Sequence, residues 1–401
     1  MKILLLNLYY PPDTSATAKM AASVAESLTA RHEVTVLCGR PSYDPRERRS
    51  WRLWRTEHAG RTRIFRVGST DYSRAGMRGR VLNYLSYVFL AVPTALFVNC
   101  DVVLAMTDPP FEGIVGAIVA LLKRKPYVYN VQDLYPEMAV GAAIVRPGSL
   151  SRIWESLHRW ALRRARLVIV IGEDMRSRIA RKGVDSSKIT IVRAGAEIPT
   201  TGAMRVTLDN EVIRAIRGDH QFVLVHAGNL GFYGAWSVLV QAVRRLESDG
   251  VGLVFVGDGA QKTEIEALAK GASNIRFLPF FSADKISSVL AAADAHVVTV
   301  KRGLEGVVVP SKIYGILAAA KPIVAVAPAE SEAVLLGAKH GFAVSADPDH
   351  PEEVEQAIRT LAADRGKLQT MGRAAGEAAP NYDRVQELQK FVRSIEESTK
   401  A

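Results

Sequence analysis

The sequence predicts an α/β protein made of two doubly wound parallel-sheet domains with a ligand cleft between them. Three observations carry this. The chain has 401 residues, about twice what a single hydrophobic core usually serves. Short apolar, β-branched runs alternate with helical stretches, and that alternation starts twice. Between the two series, residues 194–210 (AGAEIPTTGAMRVTLDN) are rich in Gly, Pro and Thr and lack periodicity, which marks a linker. The expected units are residues 1–198, residues 199–382, and a terminal helix over 383–401.

In the first series the strand runs are 3–8, 33–38, 64–67, 102–105, 127–131 and 167–171, with a helix over 16–29. In the second they are 222–226, 252–256, 275–278, 295–300 and 322–326. Helical segments at 236–247, 262–268, 284–292 and 312–320 separate these, and 383–400 forms one amphipathic helix. Between Arg80 and Asp101 lies an uncharged stretch, VLNYLSYVFLAVPTALFVNC, just long enough to span a bilayer. Asn83, Ser86, Pro93, Thr94 and Asn99 dilute it, so it reads as a buried or surface-seated helix.

A composition of 48% hydrophobic and 23% charged residues excludes disorder. Two cysteines, Cys38 and Cys100, are too few for a disulfide framework or a structural zinc site and suit a reducing cytoplasm. The opening MKILLLNLYYPP lacks a basic n-region and a cleavage site, so it reads as a first strand rather than a signal peptide. The net charge of +11 is uneven: residues 1–200 hold 30 Lys+Arg against 17 Asp+Glu, the rest 22 against 24. The basic half calls for an anionic partner such as nucleic acid, phospholipid headgroups or a lipid phosphate. Arg46, Arg48, Arg49, Trp51, Arg52, Trp54 and Arg55 form a basic and aromatic cluster, and Arg74, Arg78 and Arg80 precede the apolar stretch. Each cluster alone is equally a solvated loop. With the charge imbalance they point to an anionic membrane surface. No nucleic-acid motif accompanies the basic half.

For phosphate binding, Phe222–Gly231 is a strand running into a Gly-rich turn at Gly228, Asn229 and Gly231. Gly257-Asp258-Gly259 is a second such exit. Plain loop geometry accounts for either alone. In VPSKIYGILAAAKP, Ser311 stands at a helix N-cap and Lys312 in the first turn. A cation there runs against the macrodipole and makes sense if an anion shares the site. In the first series, Pro11-Pro12-Asp13-Thr14-Ser15, Thr107-Asp108-Pro109-Pro110 and Gln132-Asp133-Leu134-Tyr135-Pro136 follow strands, at the edge where cleft residues belong. Helix capping is the plain alternative for Asp13 and Asp108, whereas function is favoured for Asp133. Asp347-Pro348-Asp349 is read as capping the following helix rather than as a metal site. Gly-x-Ser-x-Gly, Walker A and His-Glu-x-x-His patterns are absent from the sequence.

Together, YYPPDTSATA, TDPP, YNVQDLYPE, GEDMRSRIARKGV, HAGNLG, FVGDGAQK, LPF and VPSKIYGILAAAKPIV resemble, over essentially the whole chain, retaining glycosyltransferases of the GT-B fold, family four. Within that family they are similar to bacterial enzymes of surface-polysaccharide assembly, such as the N-acetyl-fucosamine transferases of O-antigen and capsule synthesis. The resemblance implies a UDP-sugar donor on the C-terminal Rossmann-like domain, with no further cofactor and no metal. The donor would meet Ser15, Gly228, Asn229, Gly231, Gly257, Asp258, Leu278, Gly306, Val307, Ser311, Lys312 and Tyr314. A lipid-linked acceptor would enter from the N-terminal domain, past Asp108, Gln132, Asp133 and Tyr135. Asp133 and Lys312 are the expected catalytic groups. The family's Glu-x7-Glu falls here on Val307 and Gly315, and Glu305, two residues early, is a candidate substitute. The implied location is the inner face of the cell membrane, held peripherally. Rival readings are a tailoring transferase for a soluble natural product, a sugar-nucleotide epimerase, and a non-catalytic nucleotide-binding protein.

Overall fold

In the N-terminal half the strands are β1 (Lys2–Leu6), β2 (Glu33–Gly39), β3 (Trp54–Ala59), β4 (Thr62–Val67), β5 (Val102–Ala105), β6 (Tyr127–Asn130), β7 (Leu167–Val170) and β8 (Ile189–Ile191). The helices between them are α1 (Ala16–Thr29), α2 (Met77–Phe97), α3 (Glu112–Lys123), α4 (Glu137–Gly141), α5 (Ser149–Arg164) and α6 (Glu173–Arg181). The computed structural model describes residues 1–41, 53–72, 76–197 and 209–400, the Met77 side chain excepted. In the C-terminal half, α7 (Asn210–Arg217), β9 (Phe222–Ala227), α8 (Trp236–Arg244), β10 (Val251–Val256), α9 (Lys262–Leu268), β11 (Ile275–Leu278) and α10 (Ile286–Ala292) come first. They are followed by β12 (Ala295–Thr299), α11 (Lys312–Ala318), β13 (Ile323–Val326), α12 (Glu332–His340), β14 (Ala343–Ala346), α13 (Pro351–Ala363), α14 (Arg365–Ala378) and α15 (Arg384–Lys400).

Two sheets result, ordered β3-β4-β2-β1-β5-β6-β7-β8 and β11-β10-β9-β12-β13-β14. All pairings are parallel except β3 with β4. Strands such as LVIV of β7 and VGLVFV of β10 are buried at every position, because helices cover both faces. In each sheet the winding reverses once, between β1 and β5 and between β9 and β12. The loops leaving those strands diverge there and open a crevice. The loops are the ones carrying Asp13, Asp108, Gly228 and Glu305.

α1 turns its apolar stripe, Ala18, Ala21, Val24, Ala25 and Leu28, inward. α15 returns from the second domain to pack on it, with Phe391, Val392 and Ile395 in the same cluster as Ile3, Leu5 and Val24. The segment 300–309 also crosses over: Val300, Leu304, Val307 and Val309 are buried in the N-terminal core cluster. Leu134 N donates to the Val307 carbonyl at 3.0 Å.

Several expectations need correction. The antiparallel β3 and the short β8 and β14 were not foreseen. Of the basic and aromatic cluster, Arg46, Arg48, Arg49, Trp51 and Arg52 lie outside the described residues, as does Arg74. Trp54 and Arg55 belong to β3, and the Trp54 indole N–H donates to Thr94 Oγ1 at 3.0 Å. Asp13 does not cap α1; the Ser15 hydroxyl does, accepting from Ala18 N at 3.1 Å. Asp108 does not cap α3, whose N-cap position is Phe111. Asp347 and Asp349 clamp Arg302 at 2.5 Å each instead of capping α13. Most of the expected linker, 198–208, lies outside the described residues.

The apolar stretch forms α2, which is long and apolar enough to cross a membrane by length and composition. It is seated on the domain instead. Tyr87, Ala91 and Ala95 are buried in the N-terminal core, and the Tyr87 hydroxyl donates to Glu112 at 3.1 Å. Its other side is open, with Phe89 78% and Phe97 90% exposed beside Val81, Leu82 and Leu85. Leu122 on α3 and Leu150 and Ile153 on α5 extend the apolar exposure over neighbouring helices.

Candidate active site

Gly228 and Gly257 make possible the floor where β9 and β10 end. Gly228 (φ +136) leaves β9 so that a Cβ on it would meet Lys312 Nζ at 3.2 Å. At Gly257 (φ +148) a Cβ would lie 2.1 Å from the Gly228 carbonyl oxygen. Only glycine has both the conformation and the room. The two strand exits interlock, with Leu230 N donating to Asp258 O at 2.9 Å and Gln261 N to Leu230 O at 2.9 Å. Asn229 is exposed and Gly231 is buried beneath the Tyr233 ring. Asp258 accepts from Gly259 N at 2.8 Å. Leu278 ends β11 two residues before the exposed Phe280, whose ring edges toward Gly257.

Lys312 opens α11 and points back at this floor. Its Nζ lies 2.8 Å from His226 Nε2. Burial pushes the ammonium down to about 7. His226 is held well below its usual range by burial and then by Lys312. Its Nδ1 faces the Val297 carbonyl at 3.3 Å, which leaves Nε2 to accept from Lys312. Ser311 occupies the N-cap position with no side-chain capping bond, and it is exposed.

On the opposite wall, β6 delivers Gln132 and Asp133. Gln132 N donates to Thr107 Oγ1 at 2.8 Å, and its amide Nε2 to Asn130 Oδ1 at 3.0 Å. Asp133 is pushed up to about 7, by burial and then by the charge of Asp108. It also contributes to the rise of Tyr233, which burial first and then Asp133 push up to about 12. Asp133 of one domain therefore stands across the cleft from Tyr233 of the other. Tyr233 is pinned through its hydroxyl, which donates to Asn229 O at 2.7 Å. Tyr135 stacks on Trp154, with centroids 5.8 Å apart and planes 9° apart.

Other expected site residues are committed elsewhere. Ser15 spends its hydroxyl on the α1 cap. Tyr314 is 1% exposed and packs on Tyr382 in the C-terminal core, with centroids 5.5 Å apart. Val307 is fully buried. The Glu305 carboxylate accepts from Gly303 N at 2.7 Å and stands 3.9 Å from Arg178. Gly306 (φ +67) lies against Asp174 of α6: a Cβ there would meet the Asp174 carbonyl at 2.5 Å. Asp174 Oδ2 accepts from Gly306 N at 3.1 Å and from Glu332 N at 3.0 Å, while Glu332 accepts from Arg193 at 2.7 Å. Sequence reasoning missed this interdomain lock, along with His226 and Tyr233. Only His226 left a local sign, a polar residue inside the buried run FVLVHA. Among the described residues no group of three His, Cys, Asp or Glu is placed to hold a metal ion.

Residues 15–195 match the family description of a glycosyl transferase 4-like domain, and residues 221–364 that of glycosyl transferases group 1. The chain belongs to the GT-B glycosyltransferases. Its relatives include WcaI of Escherichia coli, named for colanic acid biosynthesis, at 25% identity over 98% of this chain and 100% of WcaI. WbjE of Pseudomonas aeruginosa, named as a glycosyltransferase, is 24% identical over 82% of this chain and 83% of its own. Among solved structures, Anabaena Alr3699/HepE in complex with UDP superimposes with a TM-score of 0.69 at 18% identity, covering 99% of this chain and all of that one.

Proposed function

We propose that this glycosyltransferase moves a sugar, with retention of configuration, from a UDP-sugar to a polyprenyl-diphosphate-linked acceptor in bacterial surface-polysaccharide assembly. The observation that carries the reading is the facing pair of walls: the Gly228–Lys312 cradle on one domain and Asp133 with Asp108 on the other. The donor diphosphate lies over Gly228 and the 229–231 backbone, where Lys312 and the Ser311 hydroxyl meet the charge that grows on the leaving phosphate. Its base lies toward Gly257, Asp258, Leu278 and the exposed Phe280. Asp133 orients the acceptor hydroxyl, and the leaving phosphate takes its proton on the same face of the sugar. The name of WcaI favours a polysaccharide pathway and the UDP complex of HepE favours uridine, while the choice of an N-acetylated hexosamine or deoxyhexosamine rests on the sequence resemblance alone.

The exposed apolar side of α2, with Arg78 and Arg80 at its start and no acidic residue along its length, suits insertion into the headgroup layer of an anionic bilayer. Because its other side is core, α2 lies in the membrane plane rather than across it.

The test is a panel of UDP-, GDP- and TDP-sugars with and without a polyprenyl-diphosphate-sugar acceptor, reading product and anomeric configuration. Product only with UDP-sugar and lipid acceptor, configuration retained, supports the reading. Nucleotide binding without transfer to any acceptor replaces it with a non-catalytic role.

A further inference from the structure

Beside the cleft is a second cavity of about 530 Å³, lined from both domains by α4, α5 and Arg178 on one side and by residues 301–304 on the other. It adjoins the reaction site at both walls. Pro136 and Glu137 in its lining follow three and four residues after Asp133. On the far side Lys301 N donates to the carbonyl of Tyr233 at 2.7 Å, the residue facing Asp133. The floor is tight: a Cβ on Gly141 would meet Leu304 at 2.5 Å.

The lining carries four cations, Arg152, Arg178, Lys301 and Arg302, and two carboxylates, Glu137 and Glu155. The two carboxylates share the buried Lys182 at 2.5 and 2.7 Å, and Glu155 also pairs with Arg159 at 3.2 Å, so two cations balance the two acids. Arg302 is held by Asp347 and Asp349, and Arg178 donates to the Glu305 carbonyl at 2.7 Å. Arg152 and Lys301, one from each domain, form no ion pair among the described residues. The apolar exposure described for α5 begins at this rim: Leu150 (71% exposed) and Ile153 (58%) flank Ser151 and Arg152.

We propose that this interdomain cavity binds the diphosphate of the lipid-linked acceptor between Arg152 and Lys301, with the prenyl chain leaving over Leu150 and Ile153. Cations from the two domains meet one dianionic group there, beside the wall that carries Asp133, and the apolar rim receives what the diphosphate carries. The inference rests on the proposed use of a lipid-linked acceptor, but it is tested by binding, without transfer.

The experiment measures farnesyl diphosphate, farnesol, inorganic diphosphate and UDP binding to the full chain, to Arg152→Ala/Lys301→Ala and to Arg152→Glu/Lys301→Glu. The expected result is farnesyl diphosphate binding at least tenfold weaker in the alanine pair and lost in the charge-reversed pair, with UDP affinity within twofold of wild type. Inorganic diphosphate binding that weakens in parallel, and farnesol binding that does not, assigns the effect to the charged group. Equal affinity for farnesol and farnesyl diphosphate, or variants that bind farnesyl diphosphate normally, would overturn the proposal. So would a parallel loss of UDP, since the pocket would then belong to the donor. Wild-type protein that binds farnesyl diphosphate but not UDP would refute the donor reading and leave this one standing.

Discussion

If Lys312 meets the donor diphosphate, donor binding must be coupled to proton uptake, and the size of the coupling follows from the structure. The free side chain, buried against His226, titrates near 7 instead of its ordinary 10.5. A diphosphate beside it favours the ammonium and returns the pKa toward that ordinary value. Between about pH 7 and 10.5 the complex thus holds a proton that the free protein lacks, so affinity falls as pH rises. The groups facing Lys312 do not add to the slope, because His226 and His296 are both held low by burial and stay neutral. With a free-state pKa of about 7, the UDP-sugar Kd rises about fiftyfold from pH 7 to pH 9, approaching tenfold per unit. Calorimetry in buffers of different ionisation enthalpy reads the proton directly, and about 0.9 proton is taken up at pH 8. Lys312→Ala flattens the profile and cuts turnover by a factor on the order of 10² to 10³ while the protein stays folded. Asp133 titrates in the same range, so the series is repeated in Asp133→Asn. A wild-type Kd that does not change with pH, or a slope that survives Lys312→Ala, would refute the reasoning.

Two further outcomes follow from the same geometry. Asp133, raised to about 7 by burial and Asp108, orients the acceptor as a carboxylate, so at saturating donor kcat/KM for the acceptor rises through pH 7, and the rise disappears in Asp133→Asn together with at least a hundredfold of activity. Because the folded protein holds that proton between the ordinary carboxyl range and about 7, stability falls as pH rises through this window, and Asp133→Asn raises Tm at pH 8. On α2, Phe89→Glu leaves Tm within a degree or two, since the ring is exposed, and it lowers cosedimentation with anionic vesicles at least fivefold; unchanged cosedimentation would remove α2 from the membrane contact.

The strands that were legible in the sequence were the interior ones and a single sheet edge, β11, whose IRFL run is largely apolar. β1, β5, β7, β9 and β10 are continuous apolar runs because helices cover both faces of each sheet. The three that were missed, β3, β8 and β14, are all sheet edges. β3 reads WRTEHA and is almost wholly exposed, so it carries no burial signal, and only its pairing with β4 makes it a strand. Lys312 and Asp133 were legible because each breaks a local rule: a cation in a helix's first turn, and a carboxylate after a strand among Gln and Tyr. Asp174 broke none. An acid in the first turn of α6 is what the macrodipole favours, and nothing nearby announces that it holds Gly306, 132 residues away.

The two positions where the resemblance would have placed carboxylates differ in what they can accept. Val307 is fully buried, in a cluster with N-terminal core residues, and its carbonyl is taken by Leu134 N. A carboxylate there would be desolvated with no cation in contact, so Val307→Glu costs roughly several kcal/mol and loosens the domain interface rather than restoring a sugar contact. Gly315 is the opposite case. A Cβ on it meets nothing closer than Leu290 at 3.9 Å, its φ is not positive, and a residue with ordinary helix propensity replaces glycine in α11. Gly315→Glu is therefore expected to fold with a Tm at or slightly above wild type, whereas Val307→Glu loses cooperativity or at least 8 °C. A Val307→Glu protein as stable as wild type would mean that the 300–309 segment separates freely from the N-terminal domain. The Asp174–Gly306 contact would then not be the lock described here. If the expected order holds, the missing first carboxylate is the consequence of a loop rebuilt to close the two domains.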